Sequence, residues 1–200
     1  EFADILFLAV KPNLFESVIP QIAEAVTEDM CVVSIAAGQT IAAIEKLFEK
    51  KIHLVRAMPN TPALVGEAMS ALSPNDAVTD EELAEVKALF ESFGKAEIVP
   101  ERLMDAVIGV SGSSPAYVYL FIEAMADAAV ADGMPRAQAY KFAAQSVLGA
   151  AKMVLATGQH PGELKDAVCS PGGTTIEGVA ALEEAGLRRA VIAGQRACVK

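Results

Sequence analysis

With 200 residues, 53% of them apolar, and a mean hydropathy of +0.38, the chain can bury a sizeable core as one domain or as two small ones. Apolar content this high means either an unusually large core or an apolar surface covered by another subunit. A net charge of −10 argues against nucleic acid or an anionic membrane as the main partner, while leaving room for a local basic site that holds an anionic cofactor.

From Asp4 to about Pro100 short apolar runs alternate with amphipathic segments, the pattern of a parallel sheet with helical crossovers. Strands are expected over Ile5–Val10, Cys31–Ala36, Leu54–Met58, Ala68–Leu72 and Glu97–Val99. Helices are expected over Leu14–Val26, Ile41–Glu49 and Glu81–Phe93, the last capped by Asp80. Beyond Pro100 the strand patterns stop. Ala-, Leu- and Met-rich segments then carry helical spacing over Arg102–Val110, Pro115–Ala131, Arg136–Ala156, Gly162–Ala167, Ile176–Glu184 and Leu187–Val199.

Ser114 and Pro115 read as the N-cap and first residue of the long helix. That helix is apolar on nearly every side, with Tyr117, Tyr119, Phe121, Met125, Ala128 and Ala129, so burial within the domain or at a subunit interface is expected. The predicted division is residues 1–100, a partial dinucleotide-binding unit, and 101–200, a helical unit for dimerisation and substrate binding. No GxGxxG motif occurs, and the first element already reads as a buried strand with no initiator Met before it. An amino-terminal βαβ unit is therefore expected to be absent.

No stretch qualifies as a membrane span, because the longest uncharged run, Ala106 to Ile122, is interrupted by Ser111-Gly112-Ser113-Ser114-Pro115. Cys31, Cys169 and Cys198 are few, odd in number and without metal-ligand spacing, which points to a reducing, cytoplasmic compartment. His53 and His160 lie far apart in sequence, leaving little support for a histidine metal site or a Ser-His-Asp triad, and no metal is expected.

The most informative segment runs from Leu164 to Glu184 and holds Ser-Pro-Gly-Gly-Thr-Thr at the mouth of a helix. Gly172 and Gly173 let the backbone turn with its N–H groups exposed, and the positive end of the following helix favours a small anion. Thr174, followed three residues later by Glu177, reads as a capping box that leaves the Thr175 hydroxyl free. Taken alone the loop reads first as a plain turn and N-cap, since Gly-Gly-Thr before a helix is common in loops with no ligand.

Four segments together resemble the pyrroline-5-carboxylate reductase family, which makes proline. They are Ala9-Val10-Lys11-Pro12, Arg56-Ala57-Met58-Pro59-Asn60-Thr61-Pro62, Ser111-Gly112-Ser113-Ser114-Pro115-Ala116-Tyr117, and the Ser170–Thr175 loop with its flanks. The resemblance spans essentially the whole chain, less the family's opening βαβ unit with its glycine-rich loop. It implies an incomplete Rossmann-like α/β domain followed by an all-helical domain. It also implies that Ala9, Val10, Lys11 and Pro12 line the dinucleotide, that Ala36, Ala37 and Gly38 lie near the nicotinamide, and that Asn60 joins them.

In the helical half the resemblance makes Ser170, Gly172, Gly173, Thr174 and Thr175 the substrate-carboxylate site, with Thr175 near the ring nitrogen. Glu101 matches a position expected near substrate, and reads equally as an ordinary first-turn acid. Ser114 stands where the family usually has Gly, and Ala167 where some members carry a polar residue.

The implied reaction is hydride transfer from NADPH, or NADH, to the C=N carbon of the cyclic imine, giving L-proline. The implied assembly is a dimer or a dimer-based higher oligomer. The competing enzyme is a β-hydroxyacid-type dehydrogenase, which uses a lysine on the first long helix of its second domain; Ser111 to Met125 holds none. The competing non-enzyme is an inactive, truncated scaffold or dimerisation module.

Overall fold

The computed structural model describes residues 3–199. The chain packs as two compact units, one running to Pro115 and taking in Cys198 at the chain end, the other Ala116–Ala197. The segment 101–115, expected with the helical half, thus packs with the first unit.

The first unit is a five-stranded sheet in sequence order: β1 (Ile5–Leu8), β2 (Cys31–Ser34), β3 (His53–Met58), β4 (Ala68–Pro74) and β5 (Gly94–Ile98). Helices α1 (Phe15–Ile22) and α2 (Ile41–Phe48) cover one face; α3 (Asp80–Glu91) covers the other. Strands buried on both faces read as near-continuous apolar runs, and β2, Cys-Val-Val-Ser, is buried throughout. On the first face Leu8, Val32 and Leu54 meet Phe15 and Ile19 of α1 and Ile44 and Phe48 of α2. On the second Val33, Val55, Leu72 and Ala96 meet Val86 and Phe90 of α3.

Four expectations are corrected here. The sheet is mixed, because β4 runs antiparallel to β3 while β1–β2, β2–β3 and β4–β5 are parallel. A short 3₁₀ turn, Thr61–Val65, joins β3 to β4, too little chain for a crossover. The helix expected over Leu14–Val26 is shorter: α1 carries Pro20 inside it, and a 3₁₀ turn takes over at Ala23–Ala25. The cap of α3 is Thr79, not Asp80. The Thr79 hydroxyl accepts from the Glu82 N–H at 3.2 Å, and the Glu82 carboxylate accepts from the Thr79 N–H at 2.7 Å. Finally, the strands β1 and β2 stop at Leu8 and Ser34, two residues earlier than expected, which puts Ala9, Val10 and Ala36 in loops.

At the start of β5 the backbones close tightly. A Cβ on Gly94 would stand 2.3 Å from the Ala68 carbonyl oxygen, inside any real contact distance.

After a 3₁₀ turn at Glu101–Leu103 comes α4 (Met104–Val107), then a π-helical turn over Ile108–Gly112 in place of the continuous helix expected over Arg102–Val110. Ser114 already belongs to α5 (Ser114–Ala131), so Ser114 is helical and not the cap expected of it. The second unit continues with α6 (Arg136–Thr157), α7 (Pro161–Val168), α8 (Thr174–Glu184) and α9 (Leu187–Ala197). Gly133 and Gly158, both at positive φ, turn the chain at the ends of α5 and α6. His160 caps α7, its Nδ1 accepting from the Gly162 N–H at 3.0 Å. Among the described residues no helix is long and apolar enough to cross a membrane.

Candidate active site

The predicted cofactor residues gather at one edge of the first unit. Because β1, β2 and β3 are adjacent and parallel, the loops that follow them leave the sheet on the same side. Lys11 accepts from the Leu14 N–H at 2.9 Å and so starts a 3₁₀ turn, with Pro12 at a position where no N–H is needed. Ala36 is buried at 6% exposure and its N–H lies 3.4 Å from the Ser34 hydroxyl. Ala37 is exposed, and Gly38, at φ +76°, has nothing within 4 Å of where a Cβ would stand. These small residues leave the backbone approachable by a flat ring, and to that extent the edge fits a nicotinamide.

Asn60, just past β3, is committed to the protein itself. Its Oδ1 accepts from the Met69 N–H at 3.0 Å, and its Nδ2 donates to the Ser111 carbonyl at 3.0 Å, inside the π turn. Glu101 is likewise occupied. One of its oxygens, Oε1, accepts from the Ile41 N–H at 2.7 Å and from Arg56 Nη1 at 3.0 Å. Arg56 sits mid-strand in β3 at 6% exposure, between Ser34 on β2 and Ser73 on β4, both buried. Sequence reasoning missed this arginine as a partner; the signal was a lone charge within the buried strand His-Leu-Val-Arg-Ala-Met.

In the second unit the Ser170–Gly173 loop is a tight turn closed by the Gly173 N–H on the Ser170 carbonyl at 3.0 Å, with Gly172 at φ +65°. A Cβ on Gly173 would press to 3.2 Å from the Ser170 oxygen. Gly173, not Thr174, is the N-cap of α8, and no side chain caps it. The expected Thr174–Glu177 capping box is therefore not formed, because Thr174 is the first residue of the helix rather than its cap. The first-turn N–H groups of α8 have no partner within the helix, and Thr174 and Thr175 are exposed beside them. Exposed N–H donors and the positive end of the helix dipole lie there, an arrangement suited to a carboxylate. Among the described residues no group of three or more His, Cys, Asp or Glu could hold a metal ion.

Known proteins match this chain. The family model described as pyrroline-5-carboxylate reductase dimerisation matches residues 101–200. The chain is 56% identical to the pyrroline-5-carboxylate reductase of Escherichia coli over all 200 residues, which make up 74% of that relative. A solved pyrroline-5-carboxylate reductase from Coxiella burnetii superposes with a TM-score of 0.94 at 36% identity, covering 99% of this chain and 74% of that one. A Plasmodium falciparum pyrroline carboxylate reductase, solved with NADP bound, superposes with a TM-score of 0.90 at 34% identity, covering 98% of this chain and 74% of that one. On the matching family model and this identity over its whole length, the chain belongs to the pyrroline-5-carboxylate reductase family.

Proposed function

We propose that the uncapped first turn of α8, behind the Ser170–Gly173 turn, binds the carboxylate of pyrroline-5-carboxylate. This is the observation that carries the mechanism. The chain is an NAD(P)H-dependent oxidoreductase of the CH–NH type: it reduces the cyclic imine to L-proline and associates with copies of itself. Residues 1–100 serve the cofactor, and residues 101–200, which coincide with the matched dimerisation family, serve self-association and substrate. Ala9, Val10, Lys11, Pro12, Ala36, Ala37, Gly38 and Asn60 form the cofactor edge; NADPH is the expected partner there, with NADH the alternative. The compartment is the cytoplasm.

The reduced nicotinamide supplies the hydride. The protein's part is alignment. Backbone N–H groups of Gly172 and Thr174 hold the carboxylate, the Gly173 N–H closes the turn beneath it on the Ser170 carbonyl, and the Thr175 hydroxyl orients the ring nitrogen. A protonated imine already accepts hydride readily, so no strong protein acid is needed. The β-hydroxyacid dehydrogenase reading loses its required base, because α5 contains no lysine.

The test is NADPH oxidation with pyrroline-5-carboxylate, by this chain alone and by the chain joined to a glycine-rich βαβ unit. Turnover in either form supports the reading; none in both favours the scaffold. In the active form Thr175→Ala is expected to lower kcat/KM by about 1–3 kcal/mol, one buried hydrogen bond. An unchanged kcat/KM removes Thr175 from the mechanism.

A further inference from the structure

We infer that Glu101 is a positioning residue for the nicotinamide edge, acting through the start of α2 rather than on substrate. The inference rests on the functional reading above. The β2–α2 loop, residues 35–40, carries Ala36, Ala37 and Gly38, the last at a positive φ that a glycine adopts without strain. One end is fixed to the sheet, by the Ile35 N–H on the Leu8 carbonyl at 3.3 Å. The other end is the first turn of α2, whose N–H groups need partners from outside the helix. Thr40 serves the third residue, its hydroxyl accepting from the Ala43 N–H at 3.1 Å. Ile41, the first residue, is served by Glu101, sixty positions along the chain.

The geometry accounts for the choice of a carboxylate. A negative group at a helix N-terminus is favoured by the dipole, and the buried Arg56 guanidinium needs a counter-charge. Glu101 Oε1 meets both demands with one atom. Arg56 in turn stands on β3 beside Ser34, whose hydroxyl faces the Ala36 N–H. The loop is therefore held at Ile41 by Glu101 and approached at Ala36 by Ser34, with Arg56 in register beside Ser34. An ordinary first-turn acid would cap its own helix; this one caps another.

The experiment compares Glu101→Ala and Glu101→Gln with the unaltered protein, in whichever form turns over. It reads KM for NADPH, KM for pyrroline-5-carboxylate, and hydrogen exchange at the Ile41 amide. Glu101→Ala is expected to raise KM for NADPH about tenfold and to speed Ile41 exchange by a similar factor, with KM for pyrroline-5-carboxylate within about twofold. Glu101→Gln keeps an acceptor oxygen and is expected to recover most of both. It also serves as the folded variant should the alanine protein not fold. A rise in KM for pyrroline-5-carboxylate alone would put the carboxylate on substrate and overturn the inference. Unchanged Ile41 exchange would overturn it as well. Absence of turnover in the unaltered protein defeats the functional reading instead, and the Ile41 exchange rates still decide whether Glu101 pins α2.

Discussion

The sheet unit and the helical unit bury their apolar residues in different ways. In the first, large side chains vanish from solvent: Phe15, Phe90, Ile19, Ile44, Leu54 and Leu72 are all under 2% exposed. In the second, the buried apolar residues among those described are alanines, Ala126, Ala139 and Ala143. Its large apolar groups stand in solvent, with Tyr119 at 62%, Leu120 at 67% and Phe142 at 67% exposure. The long helix α5, expected to be buried in the domain or at an interface, leaves Tyr119 and Leu120 exposed in the single chain. One unit is stabilised by its own core, while the other leaves large apolar groups exposed and is the part that matches a dimerisation family.

That contrast can be broken from either side. The largest effect is expected from Leu120→Asp combined with Phe142→Asp. Burying two unpaired carboxylates at the interface should cost several kcal/mol and turn the oligomer into a monomer by light scattering. An unchanged mass would mean that these faces stay wet. Next comes Phe90→Ala, which empties space in the core under α3. It should lower the urea-unfolding free energy by roughly 3–5 kcal/mol while leaving oligomer mass intact. A change in mass would show that the two units do not keep separate accounts of stability.

Smaller effects sharpen the picture of the first unit. Thr79→Ala removes the cap of α3 and is expected to cost about 1 kcal/mol in the same unfolding assay. The pH dependence of Glu82 is finer still. Burial pushes its carboxyl up, but the Thr79 N–H, His53 at 2.6 Å and the Thr79 hydroxyl outweigh it and hold the group below its ordinary 4.5. A carboxyl lowered by folding stabilises above its ordinary value, and that stability is lost as pH falls through the lower, folded value. The acid limb of a melting-temperature profile should therefore be steeper in the unaltered protein than in Glu82→Gln. Equal slopes would remove Glu82 as a source of acid sensitivity.

Much of the fold was legible because buried parallel strands and amphipathic helices leave different periods in sequence. Strand direction leaves none, and β4 was misread for that reason. The clue was length: nine residues between Met58 and Ala68 are too few for a helical crossover. The cap of α3 was legible in principle, since Thr79 precedes Glu82 by three positions, but Asp80 competes as a cap on composition alone. Thr174 and Glu177 have the same spacing and form no box, because Gly173 takes the cap position. At the site, loop residues following strands could be read one segment at a time. The pairing of Glu101 with Arg56 and Ile41 could not, because it joins positions 45 and 60 residues apart that only the folded sheet brings together.

Gly94 bears on how such a protein is read by mutation. In a saturation scan, position 94 should tolerate almost nothing, since even a methyl group would drive into the Ala68 carbonyl and part β4 from β5. Gly38, at the proposed cofactor edge, has open space around it and is limited only by its positive φ. A map of intolerance would therefore rank a strand start outside the proposed site above the loop proposed to face the cofactor, and a site chosen from such a map would land on another edge of the sheet.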